Sequence, residues 1–491
     1  MAMRTTSAVA TLWDELLPVE CRTMPAELTA IDALLDDPRF FAPYRPFFHP
    51  VLGRPSVPVE TYLRLMWLKF RYQLGYETLC REVNDSLSWR RFCRIALGAK
   101  VPDPSTLMKT TRRCGPEVID ALNDTLLAKA AEAKVLRLDK VRADGTVVPA
   151  NVRYPTDSGL LARGVARLGA LTRRIKNLGL APRTPFRDRG RSMRRRAHDI
   201  GAWLRRRTDT AKAEVAQINA QMATLAEASV AEARAVAANA RRSLRRMGDR
   251  ASGNARAAVV ELEQIAALVE TIAAQTRTRL AGQTPEGATR VVSLHDTDAR
   301  PIVKGKLGVR VQYGYLGFVV DNRDGIVVDH QVHRGNPPEG PMLVPAIKRL
   351  VARFGKAPKA VTADRAYGEA GIEAELVDPT VGVGFVAIPR KGRLSASRQS
   401  VQRQRRFVRL IKWRTGSEGR IAHLKYSFGW DRTLLVGIDS ARTWCGLGVL
   451  AHNTVKITRL IDERDQRRAA RRPPGASPPR AGPASPTPST A

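Results

Sequence analysis

Acidic residues are scarce in this chain of 491 residues: 47 Asp plus Glu stand against 82 Lys plus Arg, a formal net charge of +35. So strong an imbalance creates a field that attracts polyanions, and it predicts binding that falls steeply with salt through counterion release. Charge alone fits a DNA-processing enzyme and a ribosome-associated or chromatin-like protein that coats nucleic acid without chemistry equally well. Cysteine is also sparse. Cys21, Cys80, Cys93, Cys114 and Cys445 are odd in number, widely spaced and without CxxC spacing, which excludes a zinc ribbon or a disulfide framework and points to a reducing compartment. Long apolar runs are lacking too. Leu434 to Ile457 is interrupted by Asp439, Arg442 and Lys456, short of the roughly 20 residues a membrane span needs. Asp14 and Glu15 follow a short apolar patch that is no secretory h-region. The expectation is a soluble, cytoplasmic protein without a membrane partner.

What the chain does contain is a trio of carboxylates far apart in sequence. Asp144 lies in Leu136 to Val148, a run of β-formers that is expected to turn at Asp144-Gly145. Asp364 closes a second run, Ala360-Val-Thr-Ala-Asp364. Glu418 sits in Arg414-Thr-Gly-Ser-Glu418-Gly-Arg-Ile-Ala-His-Leu-Lys425, expected as the start of one helix. At about 100° per residue, Arg414 and Glu418 fall about 40° apart and Lys425 about 20° from Glu418, which lines all three along one stripe. A carboxylate flanked by two cations suits a metal ligand between phosphate contacts, the arginine as a bidentate fork and the lysine as a point charge.

The segments Arg142-Ala-Asp144-Gly-Thr-Val, Ala363-Asp364-Arg-Ala-Tyr367-Gly and Arg414-x3-Glu418-x6-Lys425 resemble the three acidic motifs of DDE transposases from bacterial insertion sequences. The last is similar to the Tyr-x2-Arg-x3-Glu-x6-Lys signature of the insertion-sequence four and five branch, with one departure: Ile411 stands at the tyrosine position. In that family the tyrosine aids contacts to the DNA end. Phe47 to Thr111 also looks like the helical domain of those proteins, notably Leu87-Ser-Trp-Arg-Arg-Phe92-Cys and Val101-Pro-Asp-Pro-Ser-Thr106-Leu. The resemblance covers roughly residues 40 to 160 and 290 to 450. It implies an α/β RNase H-like catalytic domain, interrupted by a helical insertion and preceded by an all-α N-terminal domain. It also implies two Mg²⁺ ions, with Mn²⁺ as a substitute, held by Asp144 as bridging ligand and by Asp364 and Glu418. Arg414 and Lys425 would contact DNA phosphates. The implied partner is double-stranded DNA, as transposon ends and target, handled by a homo-oligomer, most simply a dimer.

Along the chain, residues 1–132 read as helices. Pro58-Val-Glu60 opens an apolar-periodic run to Tyr72, another helix spans Thr78 to Val83, and Asp103-Pro104 supplies an N-cap and a proline at the first helical position. Short helices with basic ends suit a helix-turn-helix-like DNA reader, or a packing bundle. Residues 133–161 open the catalytic fold. Residues 162–290 are rich in Ala and Arg and poor in aromatics, with Arg clusters at 194–196, 205–207 and 241–246; they read as an inserted antiparallel helical hairpin over Ile200 to Leu225 and Ala251 to Thr276. Its basic stripes fit a DNA backbone or a solvated helix face. Residues 291–464 return to strands: a hairpin over Val309 to Asp321 and Gly325 to His333, a helix from Pro341 to Phe354, the Asp364 strand, a strand from Val383 to Ile388, and a basic loop from Arg390 to Arg406. Residues 465–491, Arg-rich and then Pro/Ser-rich, read as a disordered tail.

Phosphodiester chemistry needs an activated attacking oxygen and a neutralised leaving oxygen, which two Mg²⁺ ions on a few carboxylates can supply. Each carboxylate also has a structural reading. Asp144-Gly145 is a common turn dipeptide, Asp364 fits as a cap, and Thr415-x-x-Glu418 matches a capping box. Together, in this order, they read as a DDE transposase that nicks and joins DNA. The alternatives are a noncatalytic DNA-binding protein, such as a domesticated transposase or repressor, and an RNase H-like nuclease without strand transfer. Further DNA contacts are expected at Arg300, Lys304 and Lys306, with a surface loop as the alternative, and at Trp413 and Tyr426, where core packing competes with base stacking. His330 and His333 are three apart on an expected strand, so they face opposite ways and do not form a shared zinc site.

Overall fold

A computed structural model describes residue 3, residues 16–304 and residues 310–471. The N-terminal helices are α1 (Val19–Arg22), α2 (Ala26–Leu35), α3 (Val59–Arg71), α4 (Tyr76–Asp85), α5 (Leu87–Phe92) and α6 (Pro104–Glu132). α3 is buried over nearly its whole circumference, including the Arg64 side chain, which pairs with Asp32 at 2.6 Å. It is a core helix, not a projecting reader. At the start of α6, the Asp103 carboxylate accepts from the Ser105 amide and Pro104 occupies the first turn, as the sequence predicts. α6 breaks at Gly115, whose φ of 70° no helix permits, just before Pro116.

The sheet has six strands: β1 (Val141–Pro149), β2 (Arg300–Val303), β3 (Val311–Asn322), β4 (Val327–Arg334), β5 (Val361–Thr362) and β6 (Val386–Ala387). Its order is β2-β3-β1-β5-β6, with β4 also paired to β3. β3 pairs antiparallel with both β1 and β4, whereas β1, β5 and β6 run parallel. The expected hairpin forms because Asn322 Oδ1 accepts from the amides of Asp324 and Ile326 and Gly325 takes a φ of 84°. One expectation fails. β1 does not turn at Asp144-Gly145; both residues are paired with β3, opposite Val319 and Phe318.

Between β1 and β2 the chain leaves the sheet for α7 (Asp157–Asn177), α8 (Gly190–Leu204), α9 (Asp209–Met247) and α10 (Gly253–Leu280). The expected hairpin is thus a unit of four helices, and the stretch read as one helix from Ile200 is divided between α8 and α9. α7 starts ahead of the expected boundary at 162. These helices enclose a core of their own around Leu161, Val165, Met222, Val230, Leu262 and Val269. At its neck, Gln275 exchanges hydrogen bonds with the backbone of Val291 at 3.0 and 3.1 Å, and Arg279 pairs with Asp157 at 3.2 Å. The N-terminal helices, by contrast, share one core with the sheet.

The remaining helices are α11 (Gly340–Phe354), α12 (Ala370–Val377), α13 (Ala396–Arg403), α14 (Arg405–Arg414), α15 (Ser417–Phe428) and α16 (Ile438–Ala470). α13 lies where a basic loop is expected. α16 joins the two ends of the chain: Asn123 of α6 donates to the Gly446 carbonyl at 3.1 Å, and Phe70 of α3 meets Trp444 edge-on at 4.8 Å. It continues to Ala470, beyond the expected start of the tail at 465; residues 472–491 lie outside the described residues. Among the described residues no helix is long and apolar enough to cross a membrane.

Candidate functional site

Parallel pairing of β1 with β5 aligns Val141 with Val361 and Arg142 with Thr362. Asp144, inside β1, and Asp364, just past the end of β5, each stand two residues further along, which puts them level on neighbouring segments. The Asp144 side chain accepts from the Gly145 amide at 2.9 Å through Oδ1 and from the Ser417 hydroxyl at 2.8 Å through Oδ2. Burial raises its proton affinity above the usual carboxylate range; the Ser417 hydrogen bond opposes this, the Asp364 charge adds to it, and the Gly145 amide and Arg414 oppose it further. Asp364 is half-buried. It caps the single helical turn at Arg365–Tyr367 by accepting from the Ala366 amide at 2.7 Å, so the capping reading holds for it without removing it from the Asp144 field.

The helix carrying Glu418 reaches Asp144 through Ser417, and the helix before it is tied to β1 through Arg142. On β1, Arg142 faces Asp321 of β3 and forms a buried bidentate pair, 2.9 Å on each arm, while a third nitrogen donates to the Trp413 carbonyl at 2.8 Å. The chain breaks between α14 and α15 over this guanidinium: a Cβ at Gly416 would lie 2.8 Å from it. The single stripe expected from Arg414 to Lys425 is therefore two helices, with Arg414 ending one and Glu418 in the first turn of the next. The capping box does not form either. Thr415 donates its hydroxyl back to the Lys412 carbonyl at 2.7 Å, and α15 has no side-chain cap. Glu418 is left exposed, next to the Ser417 that holds Asp144. Lys425 is half-buried on α15.

Glu339, a residue the sequence reading passed over, also belongs to this neighbourhood. It accepts from the Tyr367 hydroxyl at 2.7 Å and pairs with Lys304. A Cβ at Gly145 would sit 2.5 Å from its carboxylate, which is why β1 has glycine there. Burial and the negative charges of Glu339, Asp144 and Asp364 hold the Tyr367 hydroxyl protonated. The signals available were Tyr367 in the second motif and a glycine inside a strand, a mark of close approach.

Other expected contacts fare differently. Arg300 is buried, and its guanidinium donates to the carbonyls of Ala288, Thr297 and Ala299, so it is an internal tie and not a DNA contact. Lys304 is paired with Glu339, and Lys306 lies outside the described residues. Trp413 lies against Lys140 and Arg142, whose charges are 4.4 and 4.7 Å from the centre of its ring, which favours packing over base stacking. Tyr426 is 76% exposed. Ile411, at the signature tyrosine position, packs beside Phe407 and Leu410. Among the described residues no group of three or more His, Cys, Asp or Glu is placed to hold a metal ion. The donors that do converge are two carboxylates, Asp144 and Asp364, whose mutual repulsion a divalent cation would relieve; oxygen donors of this kind fit a hard ion that takes its other ligands from substrate and water.

Residues 17–113 match the family described as Transposase domain (DUF772), and residues 290–454 match the family described as Transposase DDE domain. The curated proteins include a similar chain, "Uncharacterized protein ORF8 in nfe locus" of Rhizobium meliloti, 28% identical over 153 residues, which is 30% of this chain and 72% of that protein. No solved structure matches. The class these matches support is that of transposases. Within it, the segment from 290 to 454, which carries Asp364 and Glu418, supports the DDE type, and with it DNA binding and a divalent metal. Asp144 and the four-helix insertion fall between the two matched segments.

Proposed function

We propose that this protein is a DDE transposase of the insertion-sequence four and five branch that binds the inverted-repeat ends of a mobile element, cleaves them and joins the freed 3′ ends to target DNA. The observation that carries the reading is the alignment of Asp144 with Asp364 on parallel neighbours, with the junction of α14 and α15 tied to the same point by Ser417 and Arg142. The strand order, with an antiparallel hairpin on one side of β1 and parallel strands on the other, supports an RNase H-like catalytic fold interrupted by the insertion. Bound Mg²⁺ ions would activate the attacking oxygen and neutralise the leaving 3′-oxygen. Asp144, Asp364 and Glu418 would hold the metal. Ser417 holds the Asp144 carboxylate by donating to Oδ2, which keeps Oδ1 turned toward the Gly145 amide. Arg414, whose charge already acts on Asp144, and Lys425 would hold the phosphate oxygens of the cleaved strand. Two ends must be processed together, so the active form is a dimer in the bacterial cytoplasm.

The test uses labelled duplexes carrying the element's ends with Mg²⁺ and a supercoiled target. Nicked and joined products are expected from the native chain, and none from Asp144→Asn, Asp364→Asn or Glu418→Gln, each retaining DNA binding. Hydrolysed ends without joined product would replace the reading with a nuclease. Products surviving all three substitutions would sink it.

A further inference from the structure

We propose that Glu339, Tyr367 and Lys304 form a positioning bridge that holds Asp144 and Asp364 at a fixed separation, and that Lys304 serves this bridge instead of DNA. The inference rests on the reading of Asp144 and Asp364 as metal-holding carboxylates.

Glu339 stands immediately before α11, on neither segment that carries those aspartates. Its carboxylate occupies the volume a side chain at position 145 would fill, with its carbon 2.5 Å from where that Cβ would be. It is therefore seated on the backbone directly beside Asp144. Its Oε2 accepts from the hydroxyl of Tyr367 at 2.7 Å. Tyr367 is fully buried and ends the helical turn whose first amides Asp364 caps. One side chain thus touches the segment bearing Asp144 and is bonded to the turn bearing Asp364, so neither segment can shift along the other without breaking a buried contact.

A third carboxylate here would ordinarily oppose the folding of a site that already holds two like charges. Lys304 removes that objection. Its ammonium pairs with Glu339, and the side chains are only 21% and 15% exposed. A lysine committed to a shielded carboxylate is a poor phosphate contact, because leaving Glu339 would strand that charge. Lys304 follows directly on β2, which fixes its backbone by pairing Val303 with Val311.

The intact chain is to be tested for Mn²⁺ binding by isothermal titration calorimetry and for binding to end-containing DNA in metal-free buffer by fluorescence anisotropy. Tyr367→Phe, which keeps the ring, and Glu339→Ala are expected to weaken Mn²⁺ binding by roughly 10- to 100-fold, the usual effect of losing a group that orients metal ligands. Metal-free DNA affinity should not change. Glu339→Gln, which can still accept from Tyr367, should retain more Mn²⁺ affinity than Glu339→Ala. Lys304→Met should weaken Mn²⁺ binding and leave the salt dependence of DNA binding unaltered. If Lys304→Met instead lowers DNA affinity and its salt slope by about one with Mn²⁺ binding intact, the assignment of Lys304 is overturned. If Asp144→Asn and Asp364→Asn abolish Mn²⁺ binding but Tyr367→Phe and Glu339→Ala leave it unchanged, the bridge is overturned and the functional reading stands. Mn²⁺ binding that survives Asp144→Asn and Asp364→Asn overturns the functional reading itself.

Discussion

Lys69 is an ammonium set among rings. It is 3% exposed, lies 4.5 to 5.2 Å from the centroids of Trp444, Tyr76 and Phe70, and donates to the Leu74 carbonyl at 2.9 Å. Burial pushes it from the ordinary 10.5 down to about 8. The folded chain therefore prefers Lys69 neutral: the stability this confers is fully present above pH 10.5 and is lost as pH falls through about 8. The charged form at neutral pH costs on the order of 3 kcal/mol. Lys69→Met removes that titration and leaves the Leu74 carbonyl without its donor at every pH. Chemical denaturation should then show the stability of Lys69→Met relative to the native chain falling by about 3 kcal/mol between neutral pH and pH 10.5; a difference that does not vary with pH would contradict the account. At this same scale, Asp144 and Asp364 were legible because each ends or occupies a short run of β-formers. Glu339 was not. Its partners Gly145, Lys304 and Tyr367 come from three other segments, and no local pattern announces a contact of that kind.

At the scale of elements, the pair Arg142 and Asp321 decides how the Glu418 helix meets the sheet. The two residues are 6% and 2% exposed, directly opposite across β1 and β3, and Arg142 reaches on to the end of α14. Arg420 of α15 approaches the same Asp321 at 3.4 Å. Asp321→Ala strands a buried guanidinium and should cost about 3 to 5 kcal/mol, measured by urea unfolding. Asp321→Asn, which keeps one acceptor for Arg142, should cost less; equal costs would mean that the retained acceptor contributes nothing and the charge carries the whole interaction. The helical periodicity of Arg414, Glu418 and Lys425 predicted a continuous stripe because angular spacing assumes an unbroken axis. Thr415 and Gly416 retain right-handed backbone angles, so nothing in local propensity marks the break; the Arg142 guanidinium beneath Gly416 does.

For the whole molecule, two cores matter more than the division into five segments. One core runs from the N-terminal helices through the sheet to α16, and the other belongs to the four inserted helices. Because Gln275 and Arg279 close the neck of the insertion on Val291 and Asp157, its entry and exit lie together. Replacing residues 157–290 by a short Gly/Ser linker should leave a cooperatively melting chain that still binds Mn²⁺, as judged by circular dichroism and calorimetry. Exposed arginines such as Arg194, Arg195, Arg245 and Arg246 would be lost with the insertion, so the slope of DNA affinity against salt should become shallower. An unchanged slope would assign those arginines to a solvated face. Others, such as Arg241 paired with Glu263 and Arg234 paired with Glu270, are already committed within the bundle.

The sequence by itself determined the polyanion-seeking charge, the element types around Asp144 and Asp364, and the cap at Asp103, because each depends on composition or on neighbours a few residues apart. Only the tertiary structure decided that β1 runs straight through Gly145, that Arg300 faces inward, that the insertion is four helices around a core, and that Lys304 answers to Glu339. Those outcomes are set by side chains distant in sequence competing for the same few cubic ångströms and the same buried charges. No periodicity along the chain encodes that competition.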